Sequence, residues 1–133
     1  MSGHYWDVIK QEVSMPKSLL VIDNDPACLE MTTEALQYHD FKVQADTGRG
    51  DILHRIRESK PDLLLIDYLL DGVNGGEICA QLKKDDRYNA LPVIIFSAYP
   101  KVLQSLGDYG CDFFLPKPFD LSELIGQFNR LLV

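Results

Sequence analysis

The chain has 133 residues, and its 20 acidic and 13 basic side chains give a net charge of −7 at pH 7. The apolar fraction of 46% is too high for a disordered chain of that charge and is enough for one soluble domain with a core. The acidic balance disfavours direct contact with nucleic acid, because domains that bind it usually carry a basic face. The longest apolar stretch, residues 63–70, is too short for a membrane span, and the first residues lack a secretory signal. We therefore expect a cytoplasmic protein.

The cysteines and histidines predict neither a disulfide framework nor a metal site. Three cysteines without close pairs are expected to be reduced thiols in the core, at Cys28, Cys79 and Cys111. The three histidines show no metal-ligand spacing, and we expect them at the surface.

Residues 1–16 precede the first predicted strand and form an N-terminal extension to a domain over residues 17–133. Its apolar side chains are compatible with one or two amphipathic helical turns, at Tyr5, Trp6, Val8, Ile9 and Val13. We favour docking of this extension on the domain over a disordered tail.

Five short segments predict strands. Four near-continuously apolar runs, each too short for a typical helix, predict strands buried on both faces, at residues 18–23, 62–67, 92–97 and 112–117. A fifth run, residues 41–45, alternates apolar and polar side chains and predicts an edge strand.

Helical patterns fill the intervals between the strands. The first helix is predicted to begin at Asp25-Pro26, an N-cap acceptor followed by proline at the first helical position. The last is predicted to begin at Asp120, with Glu123 three residues later as in a capping box. Apolar stripes follow at residues 29–36, 52–56, 78–82, 102–106 and 121–132. The alternation of strand and helix, repeated five times, predicts one α/β domain with a parallel sheet.

Polar residues end the four apolar strands, at Asp23, Asp67, Ser97 and Lys117. Because parallel strands point the same way, we expect these side chains to converge at one edge of the sheet, where open α/β sheets form their sites. Mg²⁺ relieves repulsion between clustered carboxylates, and a carboxylate can also form an aspartyl phosphate as a nucleophile. The set therefore predicts that an aspartate accepts a phosphoryl group, with lysine and metal neutralising its charge.

Four motifs resemble the response-regulator receiver domains of two-component signalling, over roughly residues 17–133. They are LLVIDNDP (19–26), LLLIDYLLDGVNGGE (63–77), LPVIIFSA (91–98) and LPKPF (115–119). Together the motifs are highly specific, although any one of them alone is weak. The resemblance implies a single (βα)5 domain, with a doubly wound, flavodoxin-like parallel sheet of five strands in the order 2-1-3-4-5.

The resemblance also implies roles for individual residues. Asp67 matches the phosphorylated aspartate, and Ser97 and Lys117 match the phosphoryl contacts. The positions that match the Mg²⁺ ligands are Asp23, Asn24, Asp67 and the backbone carbonyl of Leu69. Ser97 and Phe114 match the switch residues, and the Lys117–Pro118 peptide bond is expected to be cis.

Two positions depart from the family pattern. Asn24 replaces the second acid of the metal site, and we expect weaker Mg²⁺ binding because an amide oxygen brings no charge. Asp25 is better explained as the helix N-cap. Asp71 stands where the family often has proline, and we interpret it as an exposed loop acid.

The function implied is a phosphorylation switch. A sensor histidine kinase or phosphotransfer protein would phosphorylate Asp67, and the surface of helix 4, strand 5 and helix 5 would signal to a downstream effector. The domain would catalyse its own phosphorylation and dephosphorylation without being a metabolic enzyme. We expect no contact with membranes, and a homodimer is a possible form.

Two other functions stay open. Asn24 motivates a pseudo-receiver, a protein-interaction module of the same fold that works without phosphate. The pair Asp23 and Asp25 motivates a phosphatase resembling the haloacid dehalogenases. That enzyme would need a further acidic strand after Lys117, where the sequence predicts one helix, and it leaves Asp67 unexplained. A flavin-binding flavodoxin is disfavoured because the loop after the first strand is acidic.

Overall fold

A computed structural model describes residues 16–99 and 109–132. Its main sheet contains five strands: β1 (Ser18–Ile22), β2 (Lys42–Asp46), β3 (Leu63–Asp67), β4 (Val93–Ser97) and β5 (Phe113–Pro116). All neighbouring pairs are parallel, and the strands lie in the order β2-β1-β3-β4-β5. The predicted α/β fold, its strand order and the edge position of β2 are therefore confirmed.

Four helices are described: α1 (Pro26–Tyr38), α2 (Ile52–Ser59), α3 (Gly75–Lys84) and α4 (Leu121–Leu131). The predicted helix around residues 102–106 lies outside the described residues. The label α4 therefore denotes the fifth and last predicted helix, Leu121–Leu131. Asp25 caps α1, because its carboxylate accepts hydrogen bonds from the N–H groups of Ala27 and Cys28. Asp120 caps α4 in the same way through the N–H of Ser122.

The helices cover both faces of the sheet. In β1, Leu20 and Ile22 point to the face packed by α2 and α3, whereas Leu19 and Val21 point to the face packed by α1 and α4. This alternation follows from the two-residue period of a strand, and it explains why β1, β3 and β4 are almost continuously apolar.

The prediction that all four apolar strands are buried on both faces is wrong for β5. It lies at the sheet edge opposite β2, where Phe113 and Phe114 are half-buried and only Leu115 is fully buried. A strand at an edge pairs on one side only, and its aromatic content did not distinguish it from a central strand.

A small hairpin follows β3. Leu69–Leu70 pairs antiparallel with Val73–Asn74 across the turn at Asp71 and Gly72. Gly72 has a φ of 69°, which favours glycine. Asn74 then caps α3 by accepting from the N–H groups of Gly76 and Glu77. The hairpin leads the chain from the end of β3 directly into α3.

Within residues 16–99 and 109–132, no helix combines the length and apolar character needed to cross a membrane. The three cysteines all lie in this part of the chain and form no disulfide; Cys79 is buried and the other two are half-buried.

Candidate functional site

Asp23 follows β1 and is fully buried at the carboxyl edge of the sheet. Its N–H donates to the carbonyl of Asp46 at the end of β2, over 3.0 Å. Its Oδ1 accepts from the N–H of Asp25 over 2.9 Å. The end of β2 therefore holds the backbone of residue 23, and the N–H of Asp25 holds its carboxylate.

Asp67 is the last residue of β3 and is 7% exposed. Its Oδ1 lies 3.4 Å from the N–H of Leu69, the first residue of the hairpin. The start of α3 lies close against it, because a Cβ at Gly75 would lie only 2.1 Å from the carbonyl oxygen of Asp67. Glycine at position 75 thus permits the close approach of α3 to the end of β3.

Lys117 forms ion pairs with both aspartates. Its Nζ lies 2.9 Å from Oδ2 of Asp23 and 3.2 Å from Oδ2 of Asp67. The same ammonium lies over the ring of Phe96, 4.4 Å from the ring centre. The Lys117 N–H donates to the carbonyl of Ser97, and the peptide bond between Lys117 and Pro118 is cis.

The electrostatics of the three charged groups are unequal. Burial raises the pKa of Asp67 to about 6, assisted by the negative charge of Asp23 and opposed by Lys117. Burial by itself would raise the pKa of Asp23 as well. The pKa of Asp23 is nevertheless lowered, because the N–H of Asp25, the thiol of Cys28 and the ammonium of Lys117 favour its charged form. The pKa of Lys117 is raised, since the two carboxylates outweigh the effect of its burial. With one cation and two carboxylates, the cluster is net negative when both acids are ionised.

A cleft of about 310 Å³ opens above this cluster. Its lining residues are Asn24, Asp25, Asp67, Leu69, Ala98, Tyr99 and Lys117. Asn24 is exposed, and the Leu69 residue is 46% exposed. Oxygen-bearing groups from the ends of β1 and β3 therefore face the same space as Lys117.

Ser97 and Phe114 are not among the residues that line the cleft, although the carbonyl of Ser97 accepts from the N–H of Lys117. Ser97 ends β4, is 1% exposed, and accepts a hydrogen bond from the N–H of Tyr99 over 2.9 Å. Phe114 pairs with Ile95 in the sheet register and packs at the border of the core on the side of α2 and α3. Neither residue lines the cleft directly.

Three features of the site were not predicted. Phe96 was predicted only as an apolar residue of a buried strand, and not as the ring beneath the Lys117 ammonium. Nothing in the sequence around Gly75 indicated that its lack of a side chain admits the carbonyl of Asp67. The hairpin had a signal, because Asp-Gly between two apolar residues is typical of a two-residue β-turn.

The comparisons with known proteins agree with this geometry. A model of the response regulator receiver domain matches residues 19–129. The chain belongs to the response regulator receiver domain family. It is thus a module of two-component signalling, as its four motifs implied.

Two curated relatives illustrate the match. The response regulator MprA of Mycobacterium sp. (strain KMS) is 32% identical over 122 residues, covering 89% of this chain and 51% of the relative. The DNA-binding dual master transcriptional regulator RpaA of Synechocystis is also 32% identical, covering 89% of this chain and 49% of the relative. The chain therefore spans about half the length of these relatives.

Solved structures show the same fold. A putative response regulator from Chloroflexus aurantiacus superposes with a TM-score of 0.77 at 26% identity, covering 88% of this chain and 98% of that one. The response regulator TrrA of Thermotoga maritima, solved in complex with Mg²⁺ and BeF, gives 0.79 at 24% identity, covering 87% and 99%.

Proposed function

We propose that this receiver accepts a phosphoryl group on Asp67 from a phosphohistidine and thereby switches its surface between two signalling states. The observation that carries the proposal is the cluster itself. Two buried carboxylates share one lysine beside an open cleft, and Asp67 is the one that lines the cleft. A purely structural ion pair would need only one carboxylate.

In the proposed reaction an Oδ atom of Asp67 attacks the phosphorus of the phosphohistidine. The P–N bond breaks, and its electron pair returns to the imidazole ring of the donor. The carboxylate must be ionised to attack. A pKa of about 6 leaves roughly nine-tenths of Asp67 ionised at pH 7. Lys117 and the hydroxyl of Ser97 would contact the transferred phosphoryl oxygens.

The donor set suits Mg²⁺, which prefers oxygen ligands and commonly uses one or two carboxylates with water. Asp23, Asn24, Asp67 and the carbonyl of Leu69 would hold it. Among the described residues, no group of three or more His, Cys, Asp or Glu could hold a metal. The site would therefore depend on amide and carbonyl oxygens beside its two acids. Bound Mg²⁺ would supply positive charge next to the phosphoryl oxygens.

The wider role follows from the same proposal. The donor would be a cytoplasmic sensor histidine kinase or phosphotransfer protein, and the module would also catalyse its own dephosphorylation. Ser97 and Phe114 would transmit the change to the surface that includes β5 and α4, which an effector or a second copy would bind. Because this chain is acidic, direct contact with DNA is not proposed for it, although RpaA is named as DNA-binding.

The experiment is the intact mass after incubation with Mg²⁺ and acetyl phosphate. The wild type should gain one phosphoryl group, and Asp67→Asn should gain none. Asp71→Asn is the matched control, because it removes an exposed acid from the adjacent hairpin and should still be phosphorylated. Labelling of Asp67→Asn at the wild-type level would refute Asp67 as the acceptor.

The pseudo-receiver is the second candidate, since Asn24 supplies no charge at the cleft and Lys117 already partly balances both acids. It predicts no mass gain from acetyl phosphate or from any phosphohistidine donor. If the missing carboxylate is the cause, Asn24→Asp should restore phosphorylation by acetyl phosphate.

A further inference from the structure

An apolar groove of about 420 Å³ runs beside the cleft, between α1 and residues 117–121. Cys28, Met31 and Ala35 of α1 form one wall, and Pro118, Phe119 and Leu121 form the other. The groove is continuous with the phosphoacceptor cleft, because Ala98 and Lys117 line both.

The wall formed by α1 is part of a longer exposed stripe. Met31 is 68% exposed, and Tyr38, seven residues later on the same side of the helix, is 85% exposed. The opposite side of α1 contributes Leu29 and Leu36 to the core. A surface helix usually has one apolar face and one polar face. We therefore expect the second, exposed apolar side of α1 to be covered by another segment or molecule.

The direction of the stripe points to that occupant. Helix α1 starts after the carboxyl end of β1 and finishes at Tyr38, shortly before β2 begins. The carbonyl of Lys17 accepts from the N–H of Lys42, the first residue of β2, over 3.0 Å. Residue 17 therefore lies at the same end of the sheet as Tyr38. The segment that precedes residue 17 thus joins the domain near the Tyr38 end of the stripe.

The preceding segment has suitable length and chemistry. Residues 1–15 would span about 22 Å as a helix, against about 20 Å for the 13 residues of α1. Tyr5, Trp6, Ile9 and Val13 would then share one helical face. We propose that residues 1–15 dock with this apolar face along α1, over the stripe from Tyr38 to Met31 and into the groove. This inference does not depend on phosphoryl transfer.

Trp6 allows a direct test in the full chain, because it is the only tryptophan of the sequence. We would measure its emission maximum and its quenching by acrylamide, with a synthetic peptide of residues 1–15 as the undocked reference. Docking predicts blue-shifted emission and a smaller quenching constant in the protein than in the peptide. Met31→Lys should return both values toward those of the peptide, because it places a charge in the groove.

Gln37→Lys is the matched control, since it adds the same charge at an exposed position on another side of α1 and should leave Trp6 protected. Ile9→Lys should release Trp6 from the side of the segment. Urea unfolding of each variant would verify that the domain remains folded. Trp6 as accessible in the wild type as in the peptide would overturn the proposal. Protection that survives Met31→Lys, or that disappears on dilution, would also overturn it, by showing another site or a second copy.

Discussion

Two lysine–aspartate clusters lie at opposite ends of the sheet, and they differ in charge balance. At the amino end of β4, Nζ of Lys83 lies 2.9 Å from Oδ2 of Asp112 and donates to the carbonyl of Leu91 over 2.8 Å. The same Asp112 oxygen accepts from the N–H of Val93. At the carboxyl end, Lys117 faces two carboxylates that are more deeply buried than Asp112.

Charge balance separates an ion pair that only stabilises the fold from one with the proposed functional role. The Lys83 cluster matches one charge with one countercharge and satisfies the remaining groups with backbone, so it joins α3 to the start of β4 and needs no ligand. The Lys117 cluster keeps a surplus negative charge where burial makes it costly. Burial beside this surplus charge raises the pKa of Asp67, which is a property typical of a carboxylate in the proposed role.

The largest effect should come from Lys117→Met, which leaves two buried carboxylates without their cation. Removing one partner of a buried ion pair costs about 3–5 kcal/mol, and we expect a loss of that size in the free energy of unfolding without Mg²⁺. Urea unfolding with and without Mg²⁺ measures it. Mg²⁺ should recover more stability in this variant than in the wild type. A loss no larger than that of Lys83→Met would contradict the difference drawn between the clusters.

Asp67→Asn should act in the opposite direction, because it removes the surplus charge. A pKa raised from 3.8 to about 6 means that ionisation of Asp67 costs folding free energy as the pH rises through this range. The variant should therefore gain about 1–3 kcal/mol over the metal-free wild type at pH 7. The gain should shrink as the pH falls from 6, be small by pH 4 and be absent near pH 3. A pH-independent difference between the two proteins would count against a buried, repelled carboxylate.

Lys83→Met tests the balanced cluster. Because this pair is partly exposed, we expect a loss of only about 1 kcal/mol, and phosphorylation by acetyl phosphate should be unchanged. Chemical denaturation and intact mass check the two parts separately. Impaired phosphorylation in a folded Lys83→Met protein would show that the two ends of β4 are coupled.

Much of the fold could be predicted because short sequence signals determine where individual helices and strands begin and which faces they bury. Asp25-Pro26 sets the start of α1, and the unbroken apolar character of β3 requires cover on both faces. The convergence of Asp23, Asp67 and Lys117 followed from parallel strands alone, and the structure brings these three into contact.

What the sequence could not supply depends on contacts between distant segments. Phe113 and Phe114 are as apolar as central-strand residues, yet β5 lies at an edge because no further strand joins it in the sheet of the described residues. The cation–π contact of Phe96 and the close approach at Gly75 both require the packed backbone. The roles of Ser97 and Phe114 stay predictions.

The smallest effect on folding stability, and the sharpest test of charge balance, is expected from Asn24→Asp. The exposed Asn24 lines the cleft with Asp67, so a carboxylate there adds charge at the proposed metal site without burying it. At a separation of about 4 Å, one added charge interacts with a divalent ion by about 2 kcal/mol in a well-solvated site, which would tighten the Mg²⁺ Kd roughly thirtyfold before screening by salt. A Mg²⁺ titration followed by NMR would measure the change. Asp71→Asn should leave the Kd nearly constant, since that acid does not line the cleft. An unchanged Kd in Asn24→Asp would mean that position 24 takes no part in binding the metal, and the site would then rest on Asp23, Asp67 and the carbonyl of Leu69.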